Sequence, residues 1–302
     1  HLCFEVSSRV DAHGNILQSV QDEEFKKLDA FIQRQRPEAV AINLLFSFMD
    51  AQDEQLIEQH LNRHYPELFV SRSSDILPEY KEYERGIATW LNAWIGPRVQ
   101  GYLKRLSLGT KPAQLSIMQS SGGTIAAEKA ADHAVRMLLS GPAGGLAGAK
   151  YIADYINEQG NAPLSINNEA INLLTFDMGG TSTDVAVIEG ELQLTNEGHI
   201  GEYPVAISMV DMHTIGAGGG SIARVDEGGV LQVGPESSGA SPGPACYGLG
   251  GVQATVTDAN LVLGRLSADD FLGGEMALDE TASRVVVERL ARKMSLTGEN
   301  AI

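Results

Sequence analysis

The stretch 174-LTFDMGGTSTDVAVIEG-190 sets two apolar runs either side of a bend built from Asp177, Gly179, Gly180, Thr181, Ser182, Thr183 and Asp184. The flanking runs read as strands and the bend as the tip of a hairpin. The tip is made of residue types that suit an anion. Gly179 and Gly180 carry no Cβ, so their N–H groups can converge on a phosphate and their backbone can take positive φ. Thr181, Ser182 and Thr183 add hydroxyl donors. Asp177, at the strand end, is a carboxylate suited to Mg²⁺, directly or through water, because that ion prefers oxygen ligands and keeps waters. Asp184 is placed to orient a water or tie down the loop. A P-loop is a different object, since it needs a Lys and then a helix after its glycines. An ordinary tight hairpin whose Asp and Thr side chains satisfy turn amides explains the same composition.

Composition narrows the partners. With 22 Lys and Arg against 39 Asp and Glu, the net charge of −17 repels nucleic-acid backbones and anionic membranes. It leaves room for ATP, which backbone N–H groups and Mg²⁺ can hold locally. Two cysteines, Cys3 and Cys246, are too few for a disulfide framework and point to a reducing, cytoplasmic setting. The longest apolar run, 39-AVAINLLFSFM-49, is far short of a membrane span. The chain starts without Met and stops at 295-SLTGENAI-302 without a cap, so both ends read as cuts in a longer protein.

The pattern is α/β. The start reads as a hairpin turning through 12-AHGN-15, followed by a helix over 22–36 that Pro37 closes. Residues 39–48 read as a buried strand, 51–64 as a helix, 68–73 as a strand and 82–106 as a long helix. The strand 114–119 leads into the loop 120-SSGG-123 and a helix start. In 140-SGPAGGLAGAKYIADYI-156, Ser140 is expected as the cap and Pro142 in the first turn. Small residues at Gly144, Ala147 and Gly148 suit a tightly packed crossing helix. The polar stretch 158-EQGNAPLSINNEA-170 is the best linker, dividing the chain into 1–160 and 161–302. Strands then follow at 171–176, 184–189, 191–195, 203–210, 221–226 and 230–234, with helices near 257–265 and 278–294.

Other segments carry chemistry-bearing residues. In 211-DMHTIGAGGGSIA-223, the glycines 216, 218, 219 and 220 let a backbone lie against a base or a phosphate, with Ser221 opening the next strand. A Rossmann fingerprint would need a helix there. Asp211 and His213, two apart on a strand, would share a face, either as metal ligands or a proton relay or as a hydrogen-bonded pair. The loop 234-GPESSGASPGPACYGLGG-251 is long enough for a lid or a wall, and Cys246 within it has no evident base beside it. Ser120, Gly122 and Gly123 end a strand and can face a ligand or form a plain turn.

Together, 175-TFDMGGTSTDVAV-187, 140-SGPAGGLAGA-149, 211-DMHTIGAGGGSIA-223 and 234-GPESSGASPGPACYG-248 make the chain similar to the hydantoinase A/5-oxoprolinase family. N-methylhydantoinases, ATP-dependent 5-oxoprolinases and acetone carboxylase beta subunits belong to that family. The resemblance runs along nearly the whole chain, including 43-NLLFSF-48 and 117-IMQSSGG-123. It implies an actin/hexokinase/Hsp70-like ATPase class, with two ribonuclease-H-like lobes around a nucleotide cleft and a phosphate hairpin in each. Asp177–Asp184 would be the hairpin of the second lobe. Residues 216–221 would lie near the nucleotide, and 140–149 would open a helix crossing between lobes. The family's other hairpin, N-terminal to the segment matching residues 1–20, has no counterpart here, so the first lobe reads as incomplete.

The activity so implied is ATP-dependent hydrolysis of a cyclic amide. Phosphorylation of the amide oxygen would make the ring carbon open to water. Asp177 would hold Mg²⁺, and Gly179, Gly180, Thr181 and Thr183 would cradle phosphates, with a B-type subunit or a fused domain as partner. ATP-dependent carboxylation of a ketone such as acetone, or a non-catalytic nucleotide-binding regulator, are the alternatives.

Overall fold

The computed structural model describes residues 2–159, 171–200 and 202–296. Most of the expected linker at 158–170, and the terminus after residue 296, lie outside the described residues. Two compact units emerge, His1–Leu164 with Glu191–Asp211, and Ser165–Gly190 with Met212–Ile302. The chain thus leaves the second unit after one hairpin and re-enters it twenty-one residues later, the excursion 191–211 being grouped with the first unit.

In the first unit, β1 (Arg9–Val10) and β2 (Ile16–Gln18) form the expected short hairpin. Helix α1 (Asp22–Gln35) begins with a capping box in which Glu24 accepts the Gln21 N–H at 3.0 Å. It ends at Arg36, whose φ of 45° turns the chain out of the helix before Pro37. Its Leu28 and Ile32 pack with Ile42, Ile57 and Leu61. Strands β3 (Ala39–Ile42) and β4 (Phe69–Arg72) pair in parallel, with α2 (Gln52–His64) as the crossover.

The strand expected over 39–48 stops at Ile42 because side chains take over the backbone groups beyond it. Glu54 accepts the Leu44 N–H at 2.8 Å, Arg85 donates to the Leu44 carbonyl at 2.8 Å, and Glu82 accepts the Phe46 N–H at 3.1 Å. Phe46 takes φ of 58°, which closes the turn. Glu54 and Arg85 are fully buried. Glu54 also accepts from Ser73 and Ser74, while Arg85 reaches Glu82, Ser47 and Ser73.

The short α3 (Ser73–Ile76) leads to α4 (Glu82–Gly109), which runs on through Pro97. Strands β5 (Ser116–Met118) and β6 (Thr124–Ala126) form a hairpin, so 120-SSGG-123 is its turn, with Gly122 at φ of 81°. Helix α5 (Ala127–Asp132) starts only after β6. Helix α6 (Ser140–Glu158) takes Leu139 as its N-cap with no side-chain bond, which corrects the reading of Ser140 as the cap: Ser140 is already inside the first turn. A Cβ on Gly144 would meet only the Met118 side chain, at 3.5 Å, and one on Gly148 would meet nothing within 4 Å among the described residues, so neither glycine is required by a close backbone crossing there.

In the excursion, Leu194–Thr195 pairs with Met209–Val210 and Gly198–Ile200 with Tyr203–Val205, so the single strand expected at 203–210 is two short ones. Val205, Ile207 and Met209 pack with Ile76, Ala88, Leu91 and Val135.

In the second unit, β7 (Asn172–Met178) and β8 (Thr183–Glu189) are a seven-residue antiparallel pair, and His213–Ile215 adds a third antiparallel strand beside β8. Ser221–Val225 pairs with Leu231–Ser237. Helix α7 (Val256–Val262) is capped by Thr255, and α8 (Glu280–Lys293) by Asp279. The buried Asp258 accepts the N–H groups of Ala245 (3.2 Å) and Cys246 (2.9 Å) and the Ser283 hydroxyl (2.7 Å). These bonds pin this part of the expected lid loop to the unit's core, where Cys246 packs with Leu261 and Leu278. Burial first, then the nearby Asp258, pushes the Cys246 thiol up to about 12, so it is a packed side chain and no nucleophile.

Two outcomes follow from the first unit. A Cβ on Gly96 would lie 2.2 Å from the ring of the buried Phe69. Gly96→Ala is therefore expected to destabilise the unit by roughly 1–3 kcal/mol in urea unfolding, despite alanine's better helix propensity. The second concerns His133, whose Nε2 lies 3.1 Å from Asp75 and whose Nδ1 faces the Lys129 carbonyl at 3.2 Å. The bond to Asp75 raises the His133 pKa above 6.5, and the same bond lowers that of Asp75 below 3.8. The histidine's contribution is complete below its unfolded pKa and fades as pH rises through the raised one. That of Asp75 is present above its unfolded pKa and fades as pH falls through the lowered one. His133→Gln should therefore cost more stability at about pH 5.5 than at about pH 9, measured by unfolding at both.

Candidate functional site

The β7–β8 hairpin closes tightly. Asp177 stands opposite Asp184 and Met178 opposite Thr183, and the Gly179 N–H donates to the Ser182 carbonyl at 2.8 Å. Beyond that bond, the N–H groups of Gly180, Thr181 and Ser182 have no protein acceptor among the described residues. They sit in sequence at a tip where Gly180 and Thr181 are exposed. Consecutive free amides of this kind attract an anion. Neither Gly179 nor Gly180 uses the positive φ that glycine allows. A Cβ on Gly180 would meet nothing within 4 Å. Glycine at 180 is thus required neither by backbone strain nor by crowding, and it leaves open the space beside the free amides.

The carboxylates lie on one face of the sheet. Asp177, Asp184 and Thr214 are aligned across the three strands, and the Thr214 hydroxyl donates to Asp184 at 2.7 Å. Like charges directly opposite each other repel, and a cation relieves that. Among the described residues no group of three or more His, Cys, Asp or Glu gathers as a metal site. A pair of carboxylates suits an ion that keeps most of its waters, which is the habit of Mg²⁺. Thr183 is 2% exposed and its hydroxyl donates to the Ala217 carbonyl, so it holds the loop together, leaving the Thr181 and Ser182 hydroxyls at the tip.

The glycine run lies behind the tip. Gly219 N–H donates to the Gly179 carbonyl at 2.9 Å, Gly220 N–H to the Gly180 carbonyl at 2.7 Å, and Gly218 N–H to the buried Ser221 hydroxyl at 2.8 Å. These amides are committed to protein, so Gly218, Gly219 and Gly220 brace the hairpin. Gly216, whose Cβ would sit 3.5 Å from Pro235, packs at the edge of the brace. A Cβ on Gly218 would lie 2.7 Å from the Gly179 carbonyl oxygen and from the amide nitrogens of Thr181 and Ser182. Glycine is needed there both for the packing and to keep two of the free amides clear.

Of the remaining candidates, Ser120, Gly122, Gly123 and Asp211 belong to the first unit and His213 to the second. Ser120 is 1% exposed, its hydroxyl turned to the carbonyls of Arg136 (2.7 Å) and Leu138 (2.6 Å), which makes it a structural tie in the first unit. Gly122 supplies the turn, where a Cβ would press on Leu192 at 2.9 Å, and Gly123 follows it. Asp211 ends the excursion grouped with the first unit, whereas His213 starts a strand of the second. Both are exposed, and among the described residues neither side chain has a hydrogen-bond partner, so the expected hydrogen-bonded pair is not formed. Two contributors escape sequence reasoning. Thr214 is revealed only by strand register, and Thr257 only by its hydroxyl's bond to the Gly219 carbonyl at 2.8 Å.

Comparison with known proteins bears on this geometry. The family model described as hydantoinase/oxoprolinase matches residues 85–301, and that of the hydantoinase/oxoprolinase N-terminal region matches residues 1–65. Caprolactamase subunit alpha of Pseudomonas jessenii is 32% identical over 308 residues, covering 100% of this chain and 42% of that protein. The crystal structure of the ATP-dependent caprolactamase from Pseudomonas jessenii superposes with a TM-score of 0.75 at 30% identity, over 98% of this chain and 42% of the other. A nucleotide-free structure of acetone carboxylase, from work on ATP-dependent acetone carboxylation, gives 0.72 at 27% identity, over 98% and 41%. The chain therefore has the α/β fold of these enzymes and spans less than half the length of each.

The two glycines separate packing from ligand space. Gly218→Ala should lower stability by roughly 1–3 kcal/mol, because backbone atoms must move. Gly180→Val, pointing into open space, should leave the unfolding midpoint unchanged and weaken binding of a polyphosphate anion on the order of tenfold or more. Calorimetric titration beside thermal unfolding checks both.

Proposed function

The chain belongs to the hydantoinase/oxoprolinase family, and we propose that its β7–β8 hairpin holds the phosphates of Mg–ATP within a longer protein that uses ATP to open a cyclic amide. The observation that carries this reading is the row of free N–H groups at Gly180, Thr181 and Ser182 next to the facing carboxylates of Asp177 and Asp184. The three amides bind phosphate oxygens, with the Thr181 and Ser182 hydroxyls as further donors. Asp177 would hold Mg²⁺, directly or through water, and Asp184, oriented by Thr214, would position a water. The three-stranded antiparallel sheet, with the free amides at its hairpin tip, supports a ribonuclease-H-like lobe of the actin/hexokinase/Hsp70 class.

A lactam or hydantoin resists water because amide resonance quiets its carbonyl carbon. Bound at the tip, ATP would transfer its terminal phosphoryl group to the amide oxygen with ADP as the leaving group; water would then add to the ring carbon, and loss of phosphate and cleavage of the C–N bond would open the ring to an amine and a carboxylate. The protein's part is positioning and charge neutralisation. The caprolactamase relative, itself an alpha subunit, supports both a cyclic-amide substrate and a separate B-type subunit or fused domain that completes ring opening. The acetone carboxylase structure, similar to nearly the same degree, supports a second reading in which a ketone is activated for carboxylation. A cytoplasmic setting belongs to the same proposal. Among the described residues no helix is long and apolar enough to cross a membrane.

The test is phosphate release from Mg–ATP by the full-length protein, with its partner subunit, against 5-oxoproline, hydantoins, caprolactam, and acetone with bicarbonate. One cyclic amide should stimulate release, and Asp177→Asn should lower it on the order of a hundredfold. Stimulation by acetone and bicarbonate alone would transfer the assignment to carboxylation. Slow release indifferent to every compound would reduce the site to a nucleotide-binding regulator.

A further inference from the structure

The brace behind the hairpin has a directional hydrogen-bond pattern. The peptide joining Gly219 and Gly220 accepts at its carbonyl from both the Thr257 hydroxyl (2.8 Å) and the Thr257 N–H (2.8 Å). The N–H of that same peptide donates to the Gly180 carbonyl at 2.7 Å. That carbonyl belongs to the peptide whose N–H is the free amide of Thr181. A parallel row runs beside it. Ser221 N–H donates to the Gly218 carbonyl at 3.0 Å, and the next N–H, that of Gly219, donates to the Gly179 carbonyl at 2.9 Å. The N–H following that carbonyl is the free amide of Gly180. Each row passes through two peptide groups in the same sense and ends on an unpaired donor at the tip.

Hydrogen bonds aligned head to tail polarise one another, so a donor at the end of such a row is stronger than an isolated amide. The row through Thr257 is the one with a side chain at its head. Thr257 is 7% exposed, and its hydroxyl is directed at the Gly219 carbonyl. Its neighbour Asp258 is fully buried and accepts the Thr255 hydroxyl at 2.7 Å and the Ser283 hydroxyl at 2.7 Å, which fixes the turn from which Thr257 projects. We infer that Thr257 is a positioning residue for the anion site, aligning and polarising the Thr181 amide through two peptide groups without touching the ligand. The inference rests on the hairpin being the phosphate site.

Binding of inorganic tripolyphosphate with saturating Mg²⁺ to the full-length protein tests it. Thr257→Val should weaken binding roughly two- to fourfold, because the phosphate's bond to the Thr181 amide is weakened and not lost. Thr257→Ser, which keeps the hydroxyl, should bind as the parent does. Thr257→Ala repeats the loss without a new methyl group. Gly219→Ala, whose Cβ would lie 2.9 Å from the Thr257 hydroxyl oxygen, should reproduce it from the other side of the bond. Parent-like binding by both Thr257→Val and Thr257→Ala would overturn the relay, as would an equal loss in Thr257→Ser, which would show that shape and not the hydroxyl matters. Gly180→Val is the control on the underlying reading. If it binds tripolyphosphate as the parent does, the hairpin is not the phosphate site and the relay falls with it. If it loses binding while the Thr257 variants do not, the relay alone falls.

Discussion

Two backbone hydrogen bonds, from Gly219 N–H to the Gly179 carbonyl and from Gly220 N–H to the Gly180 carbonyl, hold the hairpin from behind. A four-residue tip carrying three unpaired amides has little to fix it from within. Only the Gly179–Ser182 bond lies inside it. Holding the carbonyls on one side leaves the amides of the same peptides turned to the other. The brace also explains why glycines cluster at 216–220. A Cβ would come within 3.0 Å of hairpin backbone at Gly218 and Gly220, and within 2.9 Å of the Thr257 hydroxyl at Gly219, so each position is crowded for any larger residue.

The proposed phosphate site would reconcile an acidic protein with an anionic ligand. At a net charge of −17 the long-range field opposes ATP. Amide dipoles act over a few ångströms and need no cationic side chain, so they work against that field locally. The facing pair Asp177 and Asp184 would add to the repulsion if left alone, and in the proposed site a divalent cation would relieve it. The acidic surface and the backbone cradle are compatible because they operate at different ranges.

The first unit is held by a different device. Arg85 and Glu54, both fully buried, do not neutralise each other in a simple pair but bond to the turn at 44–47 and to Ser73. Burying charge is costly unless nearly every donor and acceptor is met. Here the bonds replace strand pairing for residues 44 and 46 and tie that turn to α3 and α4. Removing either charge would leave buried donors or acceptors without a partner in a dry interior. The only buried side-chain polar atom without a partner among the described residues is the Arg85 Nε.

Local pattern determined much of what was readable. Helical spacing with Pro37 placed α1 within a residue of its observed end, and alternating residues around the DMGGTSTD bend placed β7, β8 and the candidate tip. The choice of glycine and hydroxyl residues at the tip was legible because an anion-binding turn is a local object, written in one short run of chain. Tertiary structure alone decided the rest. Ser140 looked like a cap and proved to lie inside the helix, because a left-handed Leu139 already turns the chain there. Thr183 looked like a phosphate donor but turns inward to Ala217, thirty-four residues away. Thr214 and Thr257 carried no local signal, since their roles depend on strand register and on a loop folding back across the hairpin. The glycines at 218–220 were visible as a motif, yet whether their amides face a ligand or a neighbouring backbone is settled by non-local pairing, and that information exists only once distant segments have met.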